Sequence, residues 1–145
     1  MKTILFLLCS MLLLGCGEIS PRKTYEDYFA KEKEGITSFD YFINSYTVRK
    51  QKEIEEGITE LIERSITKGK KRTRDEVIKA SMGHFKRFAT CKKLEFLNEE
   101  IDKDSAIITY KATDICSKKV RVNTELVYLV KENGSWKIDK FDIKI

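Results

Sequence analysis

The residues most capable of chemistry in this 145-residue chain are its four cysteines, Cys9, Cys16, Cys91 and Cys116. Cys9 lies in an apolar stretch, Cys16 follows the small residue Gly15, and the other two stand far apart in the polar remainder. No Cys-x-x-Cys spacing occurs and His84 is the single histidine, so no metal site and no reactive dithiol can be assembled from sequence neighbours. The reading therefore contains no metal and no cofactor. His84 falls inside a helical pattern without a nucleophile or second ligand nearby and is expected to be a surface or satisfied helix residue. Tyr110, Tyr128 and Asp139 are the types that serve as donor and acid–base in a pocket. Tyrosine equally lines a core, however, and Asp139 sits among Lys137 and Lys140, so all three read as structural. There is no Gly-rich phosphate loop and no Ser, His and Asp arrangement. An enzyme is not expected.

Charge narrows the partners. The chain holds 28 basic and 23 acidic residues, a net +5 that is too mild for a nucleic-acid footprint. The excess gathers at Lys68, Lys70, Lys71, Arg72 and Arg74, which reads as an exposed connection able to rest on anionic headgroups or on a partner.

At the start of the chain Lys2 precedes an apolar run from Ile4 to Leu14, which is about half of the roughly 20 residues a transmembrane helix needs. That order predicts a secretion signal over residues 1–15. The stretch Leu13-Leu14-Gly15-Cys16 resembles the lipobox of bacterial lipoproteins. The resemblance implies that the Cys16 thiol is joined to diacylglycerol and that a peptidase cuts just before it. Two or three acyl chains would then hold the protein to a bilayer, where one chain would not. Residues 16–19 become a lipidated tether. Gly17 stands where an Asp resembles the inner-membrane retention signal of Gram-negative lipoproteins, which implies the outer membrane, facing the periplasm. Processing removes Cys9 and alkylates Cys16, leaving Cys91 and Cys116 as one pair in a compartment where disulfides persist.

The remaining residues 20–145 fit one ordinary domain. Ser20-Pro21 predicts a helix cap with the apolar face Tyr25, Tyr28 and Phe29 behind it, and Gly35 predicts the stop. A second helical pattern runs from Phe39 through Phe42, Ile43, Tyr46, Ile54, Ile58, Leu61 and Ile62 to about Ile66, weakened at Gly57. Thr73-Arg74-Asp75-Glu76 reads as a capping box before the stripe Val77, Ile78, Met82 and Phe85. From Lys92 the period becomes two. Ala106, Ile108, Tyr110 and Ala112 form one alternating set, Val120, Val122, Thr124 and Leu126 another, and Asn133-Gly134 predicts a type I′ turn before a last strand from Trp136.

The strand pattern also predicts the cysteine pairing. A tight turn at Lys103-Asp104, counted back along both strands, places Cys91 opposite Cys116 across the first hairpin. Leu94 and Phe96 fall on the opposite face from Leu97 and Ile101, so a bulge between them would shift that register by one residue.

Helices followed by a meander predict an α+β domain, with N-terminal helices packed on a curved antiparallel sheet in the shape of a cone. On Ser20-Pro21 with the Tyr25, Tyr28 and Phe29 stripe, Glu34-Gly35, and Gly134-Ser135-Trp136-Lys137-Ile138, the chain resembles small bacterial lipoproteins with a nuclear-transport-factor-two-like, cystatin-like domain. None of these residues is catalytic. The resemblance implies a non-catalytic binding module of the cell envelope, holding a small apolar ligand, a peptide or another envelope protein. The alternatives are a small enzyme using the cone interior and an immunity- or inhibitor-type partner of one specific protein.

Overall fold

A computed structural model describes residues 19–144, so the signal, Cys16, most of the tether and the last residue lie outside the described residues. Four helices precede four strands: α1 (Pro21–Glu34), α2 (Phe39–Asn44), α3 (Val48–Thr67), α4 (Arg74–Thr90), β1 (Lys92–Asp102), β2 (Ser105–Asp114), β3 (Arg121–Glu132) and β4 (Ser135–Lys144). The strands form one antiparallel sheet in the order β1-β2-β3-β4, and the helices pack against it. The fold class is α+β.

Local chemistry explains most element ends. The Ser20 hydroxyl accepts from the Lys23 N–H at 3.1 Å with Pro21 at the first helical position, and Gly35 ends α1 at φ 101°, a conformation that favours glycine. Thr73 and Glu76 complete a reciprocal capping box on α4. Asn133 and Gly134 both have positive φ, 51° and 77°, as a type I′ turn requires.

The long helical pattern after Ser38 is broken in two. Between α2 and α3 the chain touches β4: the Thr47 N–H donates to the Ile138 carbonyl and the Ile138 N–H donates to the Ser45 carbonyl, each at 2.9 Å. These bonds divert the backbone from the helical ladder although the apolar spacing continues. Gly57, by contrast, stays inside α3. The core forms where Tyr25, Tyr28 and Phe29 of α1, with Phe42, Tyr46 and Ala89, cover Ala106, Ile108, Tyr110, Val127, Leu129 and Ile138.

The β2 stripe Ala106, Ile108, Tyr110 and Ala112 is buried as its alternation predicts. On β3 the inward face is Glu125, Val127 and Leu129, whereas Val122 and Thr124 belong to the outward parity and Val120 precedes the strand, exposed. A charged residue at an inward position disguises that face in the sequence.

Thr47 is buried, accepts from the Lys50 N–H to cap α3, and donates to Asp139 Oδ1 at 2.7 Å. Loss of such a cap costs about 1–2 kcal/mol. Thr47→Ala should therefore lower the urea midpoint by that equivalent and Thr47→Ser should restore most of it. An unchanged midpoint for Thr47→Ala would show that β4 alone holds this junction.

Candidate functional site

The inward face of the sheet changes character along its length. From the hairpin end it runs through Ala106, Leu129 and Ile138, then Ile108, Val127 and Phe141, to Tyr110, Glu125 and Ile143. Beyond these, at the end where α4 enters β1, the paired positions are Ala112 with Asn123, and Lys92 with Asp114 with Arg121. The apolar ladder becomes a charged one. Ala112 is small, and beside it lies a cavity of about 270 Å³ lined by Phe88, Lys92, Asp114, Arg121, Asn123 and Glu125.

Its floor is an ion pair. Lys92 Nζ lies 2.6 Å from Glu125 Oε1, with only 15% and 7% of the two side chains exposed. A buried charge is tolerated only when paired, and each of these answers the other. Lys92 Nζ also sits 4.3 Å from the centroid of the Phe88 ring, whose other surface is exposed. At the rim, Asp114 Oδ1 accepts from the N–H groups of Cys116 and Ser117 at 3.0 and 3.1 Å. Arg121 is exposed and, among the described residues, makes no ion pair, although Asp114 stands opposite it in the register.

Behind the floor a second carboxyl joins the aromatic core. The hydroxyls of Tyr28 and Tyr46 lie 2.9 Å apart, and Tyr28 donates to Glu32 Oε1 at 3.3 Å. Burial pushes the Glu32 carboxyl up to about 7; Glu125 adds to the shift, while the Tyr28 hydrogen bond and the Lys92 ammonium oppose it. Burial likewise raises the Tyr25, Tyr28 and Tyr46 hydroxyls, which stay neutral donors. Glu32 does not line the cavity.

Cys91 lines the cavity and meets Cys116 by a different route from the one the hairpin count predicts. A bulge at Leu97 shifts the β1–β2 register, so that the Cys91 carbonyl accepts from the Ile115 N–H at 2.8 Å and Cys91 faces Ile115. Within the ladder Cys116 would then point to the other side. It is free of the ladder, because the two bonds to Asp114 Oδ1 turn the chain back just beyond β2. The sulfurs of Cys91 and Cys116 end 2.11 Å apart, with Cα atoms 5.1 Å apart.

The other residues singled out from sequence lie elsewhere. Tyr110 is buried between Tyr25 and Phe96, and its hydroxyl has no hydrogen-bond partner among the described residues. Tyr128 faces outward beneath Lys140 Nζ, 4.3 Å from its ring centroid. Asp139 is an anchor: it accepts from Thr47 and from Arg49 at 2.8 Å, and these bonds lower its pKa even though partial burial works against them. His84 is exposed on α4. Lys68, Lys70, Lys71 and Arg72 are exposed around the α3–α4 turn. Arg74 departs from that group, because its guanidinium holds both oxygens of Glu55, at 2.7 and 2.8 Å, and packs over Phe39. It ties α3 to α4.

A wider cleft of about 800 Å³ between the α1–α2 connection and α4 is lined by Ile36, Phe39, Ile78 and Met82, and its charged residues are all exposed. It lacks the convergent buried polar groups of the cavity at the α4–β1 junction. Among the described residues no group of three His, Cys, Asp or Glu side chains is placed to hold a metal ion, and no helix is long and apolar enough to cross a membrane. Comparison with known protein families, with curated proteins and with solved structures finds no match.

Lys92, Glu125, Asp114, Arg121, Asn123 and Glu32 are not recognisable as a group from the sequence. The one signal for them was the polar run Arg121, Asn123, Glu125 at the same parity as Val127 and Leu129.

Two measurements follow from this geometry. A folded-state pKa near 7 against 4.5 for the free side chain means that Glu32 holds its proton longer in the folded than in the unfolded protein. Stability should therefore fall as pH rises between those values, at up to about 1.4 kcal/mol per pH unit. Glu32→Gln should flatten that slope in urea titrations and raise stability above pH 7; an unchanged slope would remove Glu32 as its source. The Cys91–Cys116 bond closes a segment with a sequence separation of 25. In the chain-entropy model that is worth about 3–4 kcal/mol. Paired Cys91→Ser and Cys116→Ser substitutions should cost about that much, and free thiols at both positions in protein purified without reductant from an oxidising compartment would refute the bridge.

Proposed function

We propose that this chain is a lipid-anchored, non-catalytic binding protein of the bacterial cell envelope, which takes its ligand at the charged cavity beside α4 and β1. The observation that carries the binding reading is a pre-formed concave site whose floor is the Lys92–Glu125 pair. Its position and chemistry favour a small charged ligand over the apolar one that the cone interior suggests, since that interior is filled by Tyr25, Tyr28, Tyr110 and Val127. The anchor reading rests on Leu13-Leu14-Gly15-Cys16. It is supported by the start of the folded domain at Ser20, because residues 16–19 can span at most about 14 Å and would hold the domain against the bilayer. A cysteine pair at bonding distance suits an oxidising compartment such as the periplasm. The cluster Lys68, Lys70, Lys71 and Arg72 would add attraction to anionic lipid. The cystatin-like assignment belongs to the same proposal, supported by helices lying across a four-stranded meander.

Glu32 favours a second reading, a small enzyme, because a carboxyl near 7 can exchange protons at neutral pH. Its hydrogen bond to Tyr28 and its place behind the cavity floor give it a structural role instead.

Metabolic labelling with a clickable fatty acid should tag the wild-type protein in the membrane fraction, and Cys16→Ala should abolish both the label and cleavage before residue 16. A Cys16→Ala protein that is still labelled or still processed there would overturn the anchor.

A further inference from the structure

The charges around the cavity come in two opposite pairs that are used differently. Lys92 and Glu125 satisfy each other at 2.6 Å on the floor. Asp114 and Arg121 stand directly opposite each other on β2 and β3 and make no ion pair with each other, which leaves Arg121 free and Asp114 Oδ2 available. Asn123, partly buried between the two pairs in the ladder, has a side-chain amide with no hydrogen-bond partner among the described residues. Arg121, Asp114 and Asn123 thus line one hollow of about 270 Å³, together with apolar surface. That volume lies below the roughly 300–1,000 Å³ of pockets for drug-sized ligands, so the occupant is small.

A simple anion would satisfy Arg121 and leave Asp114 facing it, and a simple cation would do the reverse. A molecule carrying both charges close together answers both rim groups without breaking the buried floor pair. We propose that this cavity binds a free α-amino acid, with its carboxylate on the Arg121 guanidinium and the Asn123 amide and its ammonium on Asp114. The Arg121 fork matches a carboxylate in two parallel hydrogen bonds, and the Asp114 oxygen not engaged by Cys116 and Ser117 accepts from the ammonium. Phe88 and Ile143 supply apolar wall for the side chain. The Cys91–Cys116 bond holds the residues after β2 beside the site and so keeps Arg121 within reach.

This assignment rests on the binding-protein reading and names its ligand class. The test uses the full mature protein, lipidated and purified in detergent micelles, with each common L-amino acid at up to about 10 mM, read by thermal unfolding and then by calorimetry. At least one amino acid should raise the melting temperature. Its N-acetyl and carboxamide forms, each lacking one charge, should fail to do so. Arg121→Gln and Asp114→Asn should melt like the wild type without ligand, because Arg121 is exposed and unpaired and Asn keeps the oxygen that Cys116 and Ser117 use. Each should weaken binding about tenfold or more. No shift with any amino acid, equal binding of a blocked form, or unchanged binding by both variants would overturn the proposal. Fatty-acid labelling of Cys16 is read separately, so a failure here leaves the anchor standing, and loss of the label leaves the ligand result standing.

Discussion

Glu125 is a carboxylate on the inward face of a central strand, and the rest of the structure accommodates it. An unpaired charge in that position would cost several kcal/mol, so a cation has to arrive from another element. Lys92 does so from β1, in the register that the bulge at Leu97 sets. Without the extra residue, Lys93, Glu95 and Leu97 would face inward along the first half of β1. With it, Lys92, Leu94 and Phe96 do, and Leu94 and Phe96 pack against the core while Lys92 reaches Glu125. One irregular residue thus sets the composition of the core edge, placing Leu94 and Phe96 inward where Glu95 and Leu97 would otherwise face.

The same shift explains how the two cysteines meet. Because Cys91 pairs with Ile115, a bridge to Cys116 requires the chain to leave the ladder at once, and Asp114 makes it do so by accepting two successive backbone N–H groups. Asp114 is therefore both the device that turns the chain and a charge at the rim of the cavity. The cavity exists where the inward ladder passes from Tyr110 to Ala112, and its charged character follows from the loss of apolar cover beyond the end of α4.

At the other end of the sheet the constraint is backbone hydrogen bonding. The Ser45–Thr47 junction spends its polar groups on Ile138 and Asp139, which splits the helical run after Ser38 and turns α3 to pack on α4, with Arg74 and Glu55 closing the contact. The helices therefore pack on the apolar part of the sheet, and at the charged end Phe88 of α4 covers Lys92. A domain built this way separates its packed interior from the charged rim around Asp114 and Arg121.

The sequence by itself determined what depends on near neighbours: the caps at Ser20 and Thr73, the break at Gly35, the Asn133-Gly134 turn, the β2 alternation and the α+β order. Each is a local preference that few distant contacts can overturn. The proposed secretion signal and lipidation of Cys16 rest on a linear pattern in the sequence alone. Only the tertiary structure decided the split of the helical run, the inward face of β3, the place of Arg74 and the cluster around Glu125. Each depends on a partner far away in the chain, Ile138 for Ser45, Glu55 for Arg74 and Lys92 for Glu125. Composition and periodicity record a residue's own preference for water, and a charge buried with its counter-charge looks the same in a sequence as one left in solvent.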